Sequence, residues 1–395
     1  MGAGILGSAV AHELARRNKT DWVVVDADLQ GEFSSTERNA GGVRQLWHHP
    51  INIELSRRSI AFFESIAQEV GFHQKGYLWL YSKTTKAIGE QTWQTVQQHK
   101  LPYEKLSVQE LRNLFPFINK TDDLEFAILG TKDGILNANA VKDYYRKTAR
   151  SAGLQFLDRV WVKSLKEKGR TTELKVQRLN ANTDIESLLT LKLPETEWGK
   201  SETWEADRVI VCGGAWAKLL LQPLAAEPEI QPIRRQIAFF KCDQLDMSPY
   251  GMVVDSSGVY FHAEGGNILS GYVLKNEVPG FNLKYDSNFF EDHIWPKLYE
   301  RASVFESLKP VNGWAGLYSY TPDTSGILGR VPHTKNIFEL HSLTGRGVMQ
   351  SHGAAVAMAD LIEHGDFRAL DATCLSRDRF AQADKSKWLS EALHI

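Results

Sequence analysis

The sequence predicts an α/β fold, α+β overall, in which a parallel-sheet, Rossmann-like unit is interleaved with an antiparallel sheet. Three observations predict it. Met1-Gly2-Ala3-Gly4-Ile5-Leu6-Gly7 is a GxGxxG element at the start of the chain. Trp22-Val23-Val24-Val25-Asp26 and Val209-Ile210-Val211-Cys212 are short apolar runs of the kind found in strands buried on both faces. From Pro232 to about Tyr272, apolar alternation and Gly-rich turns have the period of antiparallel strands.

In the first element Gly2 permits a tight turn, Gly4 lets backbone approach a pyrophosphate, and Gly7 lets the following helix pack close to the sheet. The helix it opens, roughly residues 5–18, points its N-terminal N–H groups and positive dipole end at phosphate. Such a turn normally follows a buried strand. Here that strand would lie upstream of Met1, so the sequence predicts a sheet whose first strand is missing and a glycine turn without its anchor. Asp26 falls about 20 residues beyond the glycines, the spacing of a carboxylate that binds ribose hydroxyls. Its charge disfavours a 2′-phosphate.

A polar, glycine-containing loop spans residues 33–45, and a helix is expected over about 51–70. Residues 76–82 (GYLWLYS) read as a strand, and 85–120 as mainly helical with breaks at Pro102 and Pro116. Asp133-Gly134 marks a turn, and a helix over about 139–152 ends at Gly153. Strands follow through Phe156, Val160 and Val162. Residues 166–205 read as strands or hairpins, 288–307 as helix, 337–340 as strand and 348–364 as helix. Residues 366–395 read as a mixed tail of docked helix.

The 395 residues suffice for two interwoven domains, and their apolar (43%) and charged (24%) fractions are those of an ordinary globular enzyme. A net charge of −2 gives no general attraction to nucleic acid. Cys212, Cys242 and Cys374 form no metal-ligand pattern, and Cys212 reads as a small core residue. The adjacent His48-His49 point apart on extended chain, and no metal site is expected. No membrane span and no secretory leader are legible. The expected compartment is the cytoplasm, or the mitochondrion in a eukaryote.

The order of motifs resembles the D-amino-acid oxidase superfamily of flavoproteins. The initial GAGILG resembles its FAD fingerprint. Asp133-Gly134-Ile135-Leu136-Asn137 resembles its DG-x-x-(N/D) segment, and residues 206–216 (ADRVIVCGGAW) its AD-x-VV-x-AAGAW strand and turn. Tyr320-Thr321-Pro322-Asp323 with Ile327-Leu328-Gly329 resembles its TPD…(I/L)(I/L)G segment, and residues 343–350 (LTGRGVMQ) its FSGHGVMQ loop. Residues 255–261, 289–296 and 314–318 resemble one branch of that family.

The resemblance implies FAD in an extended pose, and non-covalent attachment is expected because Gly316 stands where sarcosine oxidases have their tethering cysteine. Gly2, Gly4, Ile5, Leu6 and Gly7 would face the pyrophosphate, and Asp26 with Ala27 the adenosine ribose. Ser35 and Thr36 would bond phosphate, Gly41-Gly42 would pass close to the flavin ring, and the main chain of Val162 would contact adenine. Gly213, Gly214 and Trp216 would line the phosphate–ribose side. Gly329 and the segment Gly345-Arg346-Gly347-Val348-Met349 would complete the site, with a helix N-terminus near the flavin N1–C2=O edge, where it stabilises the anion of reduced flavin. The resemblance also divides the chain into a discontinuous FAD-binding domain (1–80, 133–225 and 310–370), a substrate domain (81–132 and 226–309) and a C-terminal extension (371–395).

Two departures stand out. Sarcosine oxidases tether FAD to a cysteine where this chain has Gly316, so the thioether is excluded. Met349 stands where those oxidases have a lysine, and Arg346 where they have a histidine, so a dehydrogenase is as well supported as an oxidase. Arg44 is the expected partner of a substrate carboxylate, because a guanidinium binds one through two N–H groups. Tyr318 aligns with a family tyrosine, and Tyr260 and His262 share one strand face as further pocket candidates. Arg234-Arg235-Gln236 is expected to be structural. The expected reaction is C–N oxidation of an amino acid or N-methyl amino acid by hydride transfer to flavin N5, with oxygen or a redox partner as acceptor. A flavin-binding assembly or scaffold protein and a 2-hydroxy-acid dehydrogenase are the alternatives.

Overall fold

A computed structural model describes residues 1–225, 228–382 and 384–391. In chain order the elements are α1 (Ile5–Arg16), β1 (Val23–Val25), β2 (Gly42–Val43), α2 (Pro50–Ser65), α3 (Ala67–Val70), β3 (Tyr77–Ser82), α4 (Lys86–Gln98), β4 (Tyr103–Leu106), α5 (Val108–Leu114), β5 (Leu124–Gly130), β6 (Gly134–Ile135) and α6 (Ala138–Ser151). After them come β7 (Gln155–Leu157), β8 (Val160–Lys168), β9 (Thr171–Leu179), α7 (Ile185–Leu189), β10 (Gly199–Ala206), β11 (Val209–Val211), α8 (Ala217–Leu221), β12 (Gln231–Lys241), β13 (Met252–Val254), β14 (Tyr260–Glu264) and β15 (Asn267–Gly271). The chain closes with α9 (Trp295–Arg301), β16 (Lys309–Tyr320), β17 (Ile327–Arg330), β18 (Ile337–His341) and α10 (Gly347–His364).

The parallel half is built from two short ladders, β1 beside β7 and β11 beside β18, with β17 antiparallel on the outer edge of β18. Between the ladders runs the dipeptide Met1-Gly2. Gly2 N–H donates to Val25 O, Cys212 N–H donates to Met1 O, and the α-amino group of Met1 donates to Ile210 O at 2.7 Å. The glycine turn is therefore anchored on both sides, contrary to expectation, because only one residue on each side is needed to satisfy these backbone groups. Helix α1 packs between α6 and α10, and α10 also packs on α2. That last approach needs glycine, since a Cβ at Gly353 would stand 2.5 Å from Leu55 O.

A second sheet of eight strands has the order β16-β12-β15-β14-β13-β3-β5-β4. It is antiparallel except where β13 runs parallel to β3, a pairing that local alternation within residues 232–272 does not reveal because the partner lies far upstream. The third sheet, β10-β9-β8, is an antiparallel meander, two successive hairpins as expected for this stretch.

Four expectations change. The stretch 85–120 contains the edge strand β4, whose two middle residues, Glu104 and Lys105, carry no apolar alternation; Lys105 reaches Glu90 at 2.8 Å. β5 has no counterpart among the sequence expectations. The helix expected over 288–307 is a π-type turn followed by α9, broken where Pro296 occupies its first turn. The described part of the tail is short 3-10 turns rather than helix, held by Arg379, which grips the buried Asp323 carboxylate through Nε at 2.8 Å and Nη2 at 3.1 Å. The tail's Glu391 accepts the backbone N–H groups of His48 and His49, the two residues that lead into α2, and so ties the tail to the start of that helix.

The helical layer carries a pH-sensitive cluster. His352 stacks on Phe62 with ring centroids 3.9 Å apart, and His12 lies beside it. Burial pushes the His352 pKa down from 6.5 to about 4, and burial lowers that of His12 as well. Above pH 6.5 both rings are neutral, folded or unfolded. As pH falls below 6.5 the unfolded chain takes up protons that the folded chain refuses, so stability declines until about pH 4. For His352 alone the loss is roughly 3 kcal/mol. Thermal melts between pH 7 and pH 4 are expected to show this decline, and His352→Phe to reduce it; an identical pH slope in the variant refutes the assignment.

Candidate active site

The glycine turn, the 33–47 loop, the ends of β8 and β11, and the loop before α10 converge on one elongated cavity of about 480 Å³. At one end lie Val162, Trp161, Lys163 and Trp198; at the other, Arg44, Trp47, Tyr77, Tyr260 and Tyr318. Between them lie Gly2, Gly4, Ile5, Leu6, Asp26, Ala27, Ser35, Thr36, Gly41, Gly42, Gly213, Gly214 and Trp216 on one stretch of wall. Gly345, Arg346, Gly347, Val348 and Met349 form another. The carboxy-terminal loop and the amino-terminal turn thus face one space although more than 300 residues separate them.

Two of the proposed cofactor residues lie elsewhere. Gly7 sits beneath the turn, where a Cβ would be 1.8 Å from Gly2 O, so its role is the close helix–sheet approach rather than lining. Gly329 lies on β17, paired with Glu339 and backed by Ser376, away from the cavity. His262 also leaves the set: it is fully buried, its Nδ1 lies 2.7 Å from Ala263 O, and it does not line the cavity, although Tyr260 two residues before it does. Arg234 pairs with Glu277, and Arg235 donates to the Tyr320 hydroxyl at 2.6 Å. His48 Nδ1 lies 3.2 Å from Glu391 Oε1, a carboxylate partner that the sequence did not indicate.

The local chemistry follows from the elements. Asp26 Oδ2 accepts the N–H of Ala3 at 2.5 Å and Oδ1 that of Asp28 at 2.9 Å, which fixes the carboxylate at the end of β1 with lone pairs left to accept hydroxyls. Burial raises its pKa. Thr36 Oγ1 accepts the first N–H of α1, from Ile5, at 3.0 Å and ties the 33–47 loop to the helix start. Gly41 has φ +67°, and a Cβ there would meet Leu136 O at 2.4 Å. Gly345, at φ +79°, lies flat against the Tyr318 ring, 2.4 Å from where a Cβ would stand.

At the far end the Arg44 guanidinium is nearly buried, 3.7 Å from the Trp47 ring centroid and 4.7 Å from that of Trp79, and Nη1 donates to Leu46 O at 2.9 Å. Planar stacking of this kind favours arginine over lysine. On the other side of Trp47, 5.1 Å from its centroid, lies the Arg346 guanidinium, whose pKa burial lowers to about 10. Its Nη2 donates to Thr324 O, while Nε and Nη1 have no hydrogen-bond partner among the described residues. Burial raises the pKa values of Tyr77, Tyr260 and Tyr318, so all three are neutral phenols at physiological pH. The Asp133 carboxyl holds the Arg44 loop in place: it accepts the Gln45 N–H at 3.2 Å and the Tyr103 hydroxyl, and burial lifts its pKa to about 7. Asn137 caps α6 through Asn139 and Ala140 N–H at 3.0 Å each, so both polar ends of the DG-x-x-N segment are structural.

Trp47, Tyr77, Met252, Trp161 and Trp198 line the cavity without having been legible as site residues. Each reads in sequence as an ordinary apolar position. Only the strand order, which sets β3 beside β13, brings Tyr77 to Met252.

A glycine turn bound to β1 and β11, a buried carboxylate at the end of β1 and a second loop at a helix N-terminus, all on one cavity, are the parts of a dinucleotide-dependent oxidoreductase. The chain belongs to the DAO family, FAD dependent oxidoreductase, which matches residues 1–361. It is 28% identical to FAD-dependent oxidoreductase domain-containing protein 1 of Xenopus laevis over 96% of this chain and 81% of that protein. It is 24% identical to the monomeric sarcosine oxidase of Bacillus sp. (strain B-0618) over 91% of this chain and 90% of that one. Among solved structures, the L-proline dehydrogenase of P. horikoshii shares the fold with a TM-score of 0.80 at 20% identity, covering 96% of each chain. FAD is the cofactor, and the residues present fit it: the glycine turn before α1 and the loop before α10 both present backbone to the cavity, and the buried Asp26 carboxylate there has lone pairs left to accept hydroxyls. No helix among the described residues is long and apolar enough to cross a membrane.

Proposed function

We propose that the chain oxidises the C–N bond of an amino acid or N-methyl amino acid. The observation that carries this reading is the buried Arg44 cation at the aromatic end of the cavity, beside the neutral phenols of Tyr77, Tyr260 and Tyr318. Bound FAD supplies a two-electron acceptor. The chain's own residues do the rest. Arg44 pairs with the substrate carboxylate, the tyrosines orient the amine side by hydrogen bonding, and Trp47 and Met252 exclude water. The N-terminus of α10 puts a positive dipole end on the cavity wall, where it favours negative charge. Non-covalent attachment is supported by Cys212. It is the one cysteine that lines the cavity among the described residues, and burial pushes its thiol up to about 11, far from the reactive thiolate.

The test is an anaerobic titration of the FAD-loaded protein with sarcosine, proline, a panel of D-amino acids and 2-hydroxyglutarate, read as loss of flavin absorbance. Bleaching by amino acids is the expected result. Bleaching by the hydroxy acid alone overturns the amine assignment, and bleaching by none of the panel favours a scaffold role.

A further inference from the structure

Behind the cavity wall runs a column of buried polar side chains that the reading above does not use. Arg377, from the tail, donates to Glu339 through Nε at 2.8 Å and Nη2 at 2.5 Å. Glu339 Oε2 lies 2.9 Å from His341 Nε2, and His341 Nδ1 lies 2.7 Å from Ser342 Oγ. Ser342 Oγ in turn lies 2.7 Å from Ser319 Oγ. Glu339 and His341 are fully buried, and Ser342 and Ser319 nearly so. Both serines line the cavity.

The polarity of this column is determined. The contact with Arg377 holds the Glu339 carboxyl down at about 2, so it is an anion and only accepts. Burial lowers the His341 pKa in spite of the neighbouring carboxylate, so its ring is neutral and carries one N–H. That N–H must be on Nε2, facing Glu339. Nδ1 is then an acceptor and takes the Ser342 hydroxyl proton, and Ser342 Oγ takes that of Ser319. Every proton in the chain points inward, away from the cavity. Ser342 also holds φ +58°, a left-handed backbone that non-glycine residues disfavour, so its side chain occupies this position against a backbone preference.

We propose that the Arg377–Glu339–His341 column locks Ser342 and Ser319 as hydrogen-bond acceptors on the cavity wall, so that the site selects an N–H donor there: the imide N–H of the flavin ring or the amine of the substrate. The assignment rests on the cavity being the FAD site. The column residues are positioning residues, since they act through the serine hydroxyls.

The experiment uses the full chain. Nitrogen-15 histidine spectra, with His341 assigned through a His341→Gln control, are expected to show protonated Nε2 and bare Nδ1. The apoprotein is titrated with FAD and with N3-methyl-FAD, which lacks the imide N–H, and the KM of an amine substrate is measured. If the acceptors serve the imide, the wild-type chain prefers FAD by 10-fold or more. Ser342→Gly, which keeps the backbone without strain, and Ser319→Ala then reduce that preference to about 3-fold or less. If they serve the amine, both flavins bind equally and the two variants raise KM 10-fold or more. Glu339→Gln keeps every volume, and Arg377 Nη2, bonded to the same Oε2 that faces His341, holds the amide oxygen in that place, so the column keeps its direction and the preference or the KM stays within about 3-fold of wild type. Equal flavin affinities with an unmoved KM in the serine variants overturn this assignment alone. A wild-type chain that binds neither flavin overturns the cofactor reading and the assignment with it.

Discussion

Gly7→Ala is expected to yield a chain that purifies without flavin. The added Cβ would stand 1.8 Å from Gly2 O and 2.9 Å from Gly2 C, and both are backbone atoms with no rotamer to yield. Relief requires α1 to move away from the turn or the turn to open. Either motion disturbs the bonds by which Met1 and Gly2 join β1 to β11, and with them this part of the cavity wall. The comparison variant is Gly71→Ala, away from the cavity. It places alanine at positive φ, +60°, but nothing lies within 4 Å of its Cβ, so only the conformational cost of about 1–2 kcal/mol applies. The ratio of absorbance at the flavin band to that of protein, measured beside a thermal melt, separates the two. Gly7→Ala should lose at least 10-fold in FAD occupancy while Gly71→Ala keeps most of it. Full occupancy in Gly7→Ala at wild-type stability would mean that the turn is not as tight as described.

Arg44→Ala is expected to raise the KM for an amino-acid substrate by 10-fold or more, from loss of a charge-assisted pair worth roughly 1.5–3 kcal/mol. Arg44→Lys should recover part of that and no more. An ammonium keeps the charge but neither packs a planar face on Trp47 and Trp79 as well as a guanidinium can nor offers two parallel donors. FAD occupancy is followed in parallel, because truncating a side chain only 2% exposed also opens a void beneath the loop. A KM within two-fold of wild type, at full occupancy, removes Arg44 from the substrate site.

How much was legible depended on whether the signal was local. The glycine turn, the helix after it and the acid at the end of β1 are set by neighbours in sequence, and each is where the pattern put it. Helix α6 was readable from its helical spacing and a terminal glycine, which acts within one turn. Strand β4 was not, since four residues with a polar middle give no periodicity; its strand character comes from pairing with β5. Gly329 and His262 were placed by motif and by face. They miss the cavity because a strand face says which way a side chain points and not what lies opposite. His341 belongs to the same class. Its chemistry is invisible until Glu339, Ser342 and Ser319 are seen around it.

By itself the sequence determined the dinucleotide class of the cofactor and the elements with a strong local signal, such as α1, β1, α6, β11 and α10, because those depend on backbone geometry over a few residues: positive φ, absent Cβ, apolar period. Tertiary structure alone decided what closes the site. Arg44 is flanked by Trp47 and Trp79, the Gly345 loop meets Tyr318, and a tail arginine fixes the polarity of two serines on the wall. Those contacts join residues tens to hundreds of positions apart, and their energies depend on burial and charge neighbours that exist only once the sheets have assembled.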